Sequence, residues 1–335
     1  MRILITGGLG FIGSALIREL LNHANLEIMN IDKCSYASMP EALEGKENQE
    51  NYNFEKIDIT NSHDVNKIIS TFKPNKIFHL AAESHVDRSI DGPEDFLQTN
   101  IMGTFNILEA VRNNLSNLPA DFIFIHVSTD EVYGSLQMDE PLFVESSEYK
   151  PNSPYSASKA SSDLLVRAWN KTYGIRSVIT NCSNNYGPWQ NPEKLIPKTI
   201  MNALTENHIP IYGKGINIRD WLHVTDHANA LIQVSKTTQN FIKYNIGANQ
   251  EMTNIDLVKL ICNYLDEKMP GTSSHLDLIT YVEDRLGHDL RYAVNASKLA
   301  FDFNYQPNFL LTEGIINTID WYIDNLEWVK SKATN

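Results

Sequence analysis

Apolar positions follow two rhythms along the first half of the chain. Arg2 to Ile5, Leu26 to Ile31, Ile77 to Ala81, Phe122 to Val127 and Ser177 to Thr180 are short, nearly continuous apolar runs bounded by turn residues. Runs of that length read as strands buried on both faces. Between them, residues 14–23, 65–72, 96–115 and 156–173 carry apolar side chains at helical spacing. Strand and helix in alternation predict an α/β fold with a doubly wound parallel sheet. Ligands of such sheets sit at the carboxyl ends of the strands. Asp32, Ala81, Asp130 and Cys182 stand at or just past those ends, so they are expected to converge. After Cys182 the rhythm is lost, and Pro188, Pro192, Pro197 and Pro210 are expected to break the chain into short pieces. The division predicted is a first domain over 1–182 and a smaller, mixed α/β substrate domain over 183–335, with about 220–253 returning to the first. Glu41 to Asn53 reads as a polar surface insertion, and Trp328 to Asn335 as a solvated helix end.

The first strand runs into Thr6-Gly7-Gly8-Leu9-Gly10-Phe11-Ile12-Gly13, and a helix follows. Gly7, Gly10 and Gly13 permit a tight turn, close approach of a pyrophosphate and helix-on-strand packing. The helix N-terminus then faces the phosphates. Asp32 ends the second strand 19 residues past Gly13, where a carboxylate accepts from a ribose 2′-hydroxyl and repels a 2′-phosphate. A Rossmann-type domain binding NAD, rather than NADP, is the reading.

Tyr155 and Lys159 are spaced Tyr-x-x-x-Lys, which sets a phenol and an ammonium on one helical face. The ammonium is expected to lower the phenol pKa, letting Tyr155 take a proton from a substrate hydroxyl. That pair suffices for oxidising an alcohol beside a nicotinamide. Asp130 and Glu131 add two carboxyls at the end of an apolar strand, next to Thr129, and suggest a second step such as loss of water. In isolation such an acidic pair would read as solvated loop residues.

Composition adds limits. The chain has 335 residues, 42% of them hydrophobic, and a net charge of −13. The acidity argues against nucleic-acid binding. Cys34, Cys182 and Cys262 have neither disulfide nor metal spacing, which suits reduced thiols in the cytoplasm. His79, His85, His126, His223 and His227 are scattered, so no metal site is expected. A first strand beginning at residue 2 implies no signal peptide, and no apolar run reaches the ~18 residues of a membrane span.

TGGLGFIGS (6–14), HLAAESHVDRSI (79–90), STDEVYG (128–134), SPYSASKASSD (153–163), NCSNNYGP (181–188), PEKLIP (192–197), NIRDWLHVTDH (217–227) and DRLGHDLRY (284–292) together resemble the extended short-chain dehydrogenase/reductase family. Within it the chain is most similar to the dTDP-glucose 4,6-dehydratases, over nearly its whole length. The resemblance implies C4 oxidation by Tyr155, with Lys159 and Thr129 assisting. It further implies C5 proton removal by Glu131, protonation of the departing C6 hydroxyl by Asp130, and return of hydride to C6, so that NAD is recycled. It implies cofactor contacts at Gly7, Gly10, Phe11, Ile12, Gly13, Asp32, Lys33, Asp58, Ile59, Leu80, Ala81, Ala82, Thr99, Tyr155, Lys159 and Asn185. Nucleotide-sugar contacts are implied at Ser84, Thr129, Asn184, Lys194, Leu195, Pro210, Tyr212, Arg219, Asn254, Arg285 and His288, with Arg219, Arg285 and Lys194 suited to a pyrophosphate. It also implies a homodimer; the Phe105, Ile107, Leu108, Val111 stripe fits core or subunit contact. Ser38-Met39, Trp189, Asn191 and Leu286 depart from the family pattern. A UDP-linked dehydratase, a nucleotide-sugar epimerase or decarboxylase, and an inactive NAD-sensing scaffold remain the competing readings.

Overall fold

The structure is a computed structural model that describes residues 1–46 and 48–333. Seven parallel strands form the main sheet: β1 (Arg2–Thr6), β2 (Glu27–Asp32), β3 (Tyr52–Lys56), β4 (Lys76–His79), β5 (Ile123–Thr129), β6 (Ser177–Cys182) and, after three short strands, β10 (Phe241–Ile246). Their order is β10-β6-β5-β4-β1-β2-β3. The winding reverses between β1 and β4, which opens a crevice beyond their carboxyl ends. One face is covered by α1 (Phe11–Leu20) and α8 (Val224–Val234), which pack on each other. The other carries α2 (Ser62–Phe72), α5 (Thr104–Asn114) and α6 (Pro154–Tyr173). Each face has its own apolar core, because every interior strand is buried on both sides.

The remaining strands are β7 (Asn184–Tyr186), β8 (Ile209–Tyr212), β9 (Ile218–His223), β11 (Glu251–Thr253), β12 (Ile279–Val282) and β13 (Arg291–Tyr292). β9 pairs with β7, β11 and β13, while β8 pairs with β12. A third core joins these strands to α7 (Leu195–Leu204), α9 (Asn254–Lys268) and α11 (Leu311–Asp324). α3 (Val86–Asp91), α4 (Pro93–Phe96), α10 (Ser297–Phe303) and α12 (Leu326–Ala333) complete the fold. Thr334 and Asn335, the end of the expected helical tail, lie outside the described residues, as does Glu47.

Three expectations need correction. The helix expected over 96–115 changes pitch: α4 passes into a π-helical segment, Leu97–Gly103, before α5 begins. Pro197 and Pro210 break nothing. Pro197 lies in the first turn of α7, where its missing N–H costs no hydrogen bond, and Pro210 lies in a two-stranded sheet. Glu41 to Asn53 is not simply a polar excursion. Ala42 and Leu43 are buried, and Tyr52 and Asn53 begin the edge strand β3. Only Tyr52 of β3 is buried, so its sequence carries no alternation to read.

Candidate active site

The β1–α1 turn is shaped by contacts that forbid side chains. Gly7 has φ +72°, and a Cβ there would lie 2.7 Å from the Ala81 backbone. A Cβ on Gly13 would lie 2.2 Å from the Gly7 carbonyl oxygen. Close backbone packing thus demands glycine at both positions, and Gly7, Gly10 and Gly13 line the crevice, where a pyrophosphate requires bare backbone. At the end of β2, Asp32 accepts from Leu9 N at 3.0 Å, Cys34 N at 2.8 Å and Ser38 Oγ at 3.0 Å. Ser38, one of the departures, thus braces the carboxylate expected to read the ribose.

A cavity of about 300 Å³ runs from this turn to the end of β5. Every expected cofactor residue lines it except Asp58, whose carboxylate accepts the Thr60 N–H and hydroxyl, each at 2.9 Å. The flanking Ile57 and Ile59 do line it. Asp32, Ala81, Asp130 and Cys182 meet there as the strand ends predicted. Sequence reasoning missed Gln190 and Glu193, which line it from an irregular loop with no periodic signal. The residues present fit a dinucleotide: a glycine cradle, a braced carboxylate and a buried tyrosine–lysine pair.

A second cavity of about 450 Å³ adjoins the first, and Glu131, Asn184 and Lys194 line both. Leu195, Pro210, Tyr212, Arg219, Asn254, Arg285 and His288 line the second, and Ser84 lines both. Arg219 is buried yet bonded only to carbonyls, those of Ile218 (2.7 Å), Asp289 (3.1 Å) and Leu290 (3.4 Å), and stacks 4.4 Å over the Tyr292 ring. Arg285 holds Asp87 at 2.9 and 3.0 Å and lies 4.9 Å over Tyr212. Two guanidiniums and Lys194 around one cavity suit a pyrophosphate.

Ser153 caps α6 through a reciprocal pair with Ser156, and Pro154 takes the first helical position, so Tyr155 and Lys159 leave the helix toward the cavity. Their electrostatics differ from expectation. Lys159 Nζ donates to Val127 O at 2.8 Å. Burial pushes the Tyr155 phenol well up, Glu131 and Cys182 add to the rise, and the Thr129 hydroxyl opposes it. The protein alone holds Tyr155 as a neutral phenol, because desolvation outweighs a lysine whose bond goes elsewhere.

The two neighbouring carboxyls are unlike. Asp130 is 1% exposed, and its Oδ2 has no hydrogen-bond partner. Burial pushes it well above the usual carboxyl range, and Glu131 and Asp220 push further. Burial also raises Glu131, but Arg219 and Lys194 pull it back. Within the pair, Asp130 keeps the proton and Glu131 gives it up first.

The family model described as GDP-mannose 4,6 dehydratase matches residues 4–318. The chain belongs to that family. Among curated proteins, the chain is similar to dTDP-glucose 4,6-dehydratase 1 of Escherichia coli K12, 50% identical with 98% of this chain and 94% of that one covered. A solved dTDP-glucose 4,6-dehydratase from Streptomyces venezuelae, with NAD bound, superposes with a TM-score of 0.91 at 37% identity, covering 99% of this chain and all of that one. UDP-glucose 4-epimerase of Thermus thermophilus, also with NAD, superposes at 0.85 with 25% identity and covers 96% of this chain and 99% of that one. Two activities thus share the fold, and the site must separate them. The departures lie in different places: Asn191 lines the cofactor cavity, Trp189 packs on Trp321 and Trp328 at 4.8 and 4.9 Å, and Leu286 is exposed beside Arg285.

Proposed function

We propose that the chain dehydrates dTDP-glucose to dTDP-4-keto-6-deoxyglucose, with NAD recycled inside the site. The observation that carries this is the unequal carboxyl pair beside Tyr155, in which Asp130 is pushed up further by its surroundings than Glu131, which Arg219 and Lys194 pull back. An epimerase has no use for such a pair. Relatives at 50% identity are named for this reaction.

NAD held by the glycine turn, Asp32 and Lys159 would supply a hydride acceptor for C4, a hydride donor for C6, and a positive charge that lowers the Tyr155 pKa. Tyr155 takes the C4 hydroxyl proton while Thr129 steadies the C4 oxygen. The C4 ketone acidifies C5, and Glu131 removes that proton. Asp130 gives its proton to the C6 hydroxyl, which departs as water, and Glu131 returns its proton to C5 as C6 is reduced by the hydride taken from C4. Arg219, Arg285 and Lys194 hold the pyrophosphate, and Tyr212 packs on the base.

The proposed division of labour follows the chain: residues 1–182 for the cofactor and 183–335 mainly for the sugar, with 220–253 returning. Pairing of β10 with β6 and packing of α8 on α1 support that return. A homodimer through α4–α6 is proposed from Leu97, Met102 and Leu164, exposed at 46%, 44% and 57%. A cytoplasmic location is supported by three free cysteines.

The test is incubation of the purified protein with dTDP-glucose, without reductant, followed by mass spectrometry. The expected product is lighter by one water, with no net NADH. An unchanged mass with inverted sugar stereochemistry would instead establish an epimerase. An unchanged sugar with dTDP-glucose but water loss from UDP-glucose would move the reading to a UDP-linked dehydratase.

A further inference from the structure

Lys159 is 4% exposed, and its hydrogen bond goes to a neutral carbonyl. A buried ammonium without a counter-charge tends to lose its proton. One turn along α6, on the same face, stands Asp163, 1% exposed. Its Oδ2 accepts from the Tyr149 hydroxyl at 2.6 Å and from Asn181 Nδ2 at 3.2 Å, and His126 Nε2 lies 3.2 Å from its Oδ1. These partners come from the loop before α6, from β6 and from β5. Asn181 also donates to Thr129 O at 3.1 Å, which ties the carboxylate to the strand end that carries the catalytic groups.

We propose that Asp163 is the counter-ion of Lys159, a positioning residue that touches neither substrate nor cofactor and keeps the lysine protonated. Its activity test rests on the dehydratase reading; its titration test does not.

The groups around the pair leave this task to Asp163. Burial pushes His79 on β4 and His126 on β5 down, so both rings are neutral. Cys182 on β6 is pushed up to about 12 and stays a thiol. Tyr133 and Tyr149 are pushed up by burial and stay phenols. Lys243 on β10 lies over their rings at 5.1 and 4.4 Å, a second cation rather than a counter-charge. Glu145 is turned to Asn245 N at 3.1 Å. Burial pushes Asp163 upward too, but the His126 ring, the Tyr149 bond and the Lys159 charge outweigh it and hold the carboxyl below its usual range. Burial lowers Lys159, and the Asp163 charge opposes the fall.

The experiment compares pH profiles of kcat/KM for wild type, Asp163→Asn and Tyr149→Phe. Asp163→Asn is expected to move the basic limb down by roughly one to two pH units, the effect of one charge a helical turn away at an effective dielectric of about 20. Tyr149→Phe removes a bond but keeps the charge, so its limb is expected to stay while its Tm falls. A basic limb unmoved in Asp163→Asn, whatever its kcat, overturns the inference and leaves Asp163 as a structural tie. If Asp163→Asn does not fold, or if wild type turns over no nucleotide-sugar and the dehydratase reading fails, the Lys159 ammonium is titrated directly. Nitrogen NMR of 15N-lysine-labelled protein, assigned with Lys159→Met, reads it. A proton kept above about pH 8 supports the inference, and one lost below that overturns it.

Discussion

Asp130 and Glu131 are adjacent in sequence, yet only one of them faces cations strongly enough to be ionised first. Arg219 and Lys194 both pull Glu131 down, whereas for Asp130 burial, Glu131 and Asp220 outweigh the opposing pull of Arg219 and the Thr129 hydroxyl. Replacing Glu131 by Gln removes the base without changing shape, and kcat is expected to fall by about 10²–10⁴. In deuterium oxide the variant is expected to exchange no C5 proton of the sugar; exchange at the wild-type rate would place the base elsewhere. Thr129, Asp130, Glu131, Tyr155 and Lys159 were all legible from local motifs, because their chemistry depends on residue type and helical spacing. Asp163 was not. Its meaning comes from His126, Tyr149 and Asn181, which lie on three other segments.

The β1–α1 element shows how a turn constrains function. Gly13→Ala would set a Cβ 2.2 Å from the Gly7 carbonyl oxygen. The helix would have to shift, and NAD affinity by calorimetry is expected to fall tenfold or more, roughly 1.4 kcal/mol or above, with the sheet intact by circular dichroism. An unchanged affinity would mean that the cofactor lies elsewhere. On β2, Asp32→Ala is expected to narrow the preference for NAD over NADP, since the repelling carboxylate goes; an unchanged preference would mean that Asp32 does not read the ribose. Strand β5, buried throughout, was legible as an apolar run, whereas the edge strand β3 has one buried side chain and no pattern. The π segment was illegible too. Asn100 within it accepts Glu83 N at 2.9 Å and donates to Ser158 Oγ at 2.8 Å, so distant partners set its pitch.

At the scale of the whole molecule, buried histidines couple stability to pH. Burial lowers His223 to about 4 and His227 to about 3, from 6.5. Above 6.5 both states are neutral there and the residues contribute no pH dependence. Below it the unfolded chain takes up protons that the folded chain refuses, so stability falls by about 1.4 kcal/mol per pH unit for each histidine. The raised carboxyls Asp130 and Glu131 act with the opposite sign. His227→Gln is therefore the informative comparison: its urea-unfolding free energy is expected to fall less steeply than wild type between pH 6.5 and 4.5, and parallel slopes would contradict the assignment. The proposed dimer gives a second measurement at this scale. Sedimentation is expected to return twice the 38.0 kDa chain mass for wild type and the single mass for Leu164→Arg. A wild-type monomer, or a variant that stays paired, would rule that surface out as the interface.

The sequence by itself determined the parallel sheet, the glycine turn and the residue types of the candidate site, because strand burial, turn geometry and helical spacing are properties of neighbours along the chain. Only the tertiary structure decided which carboxyl is pushed up further, where the lysine bond goes and how β10 closes the sheet. Those depend on burial and on charges brought in from remote segments: Arg219 from β9, Lys194 from the loop before α7, and Asp163 facing β5 and β6. Desolvation and Coulomb interaction act through space, and no spacing along a single chain records them.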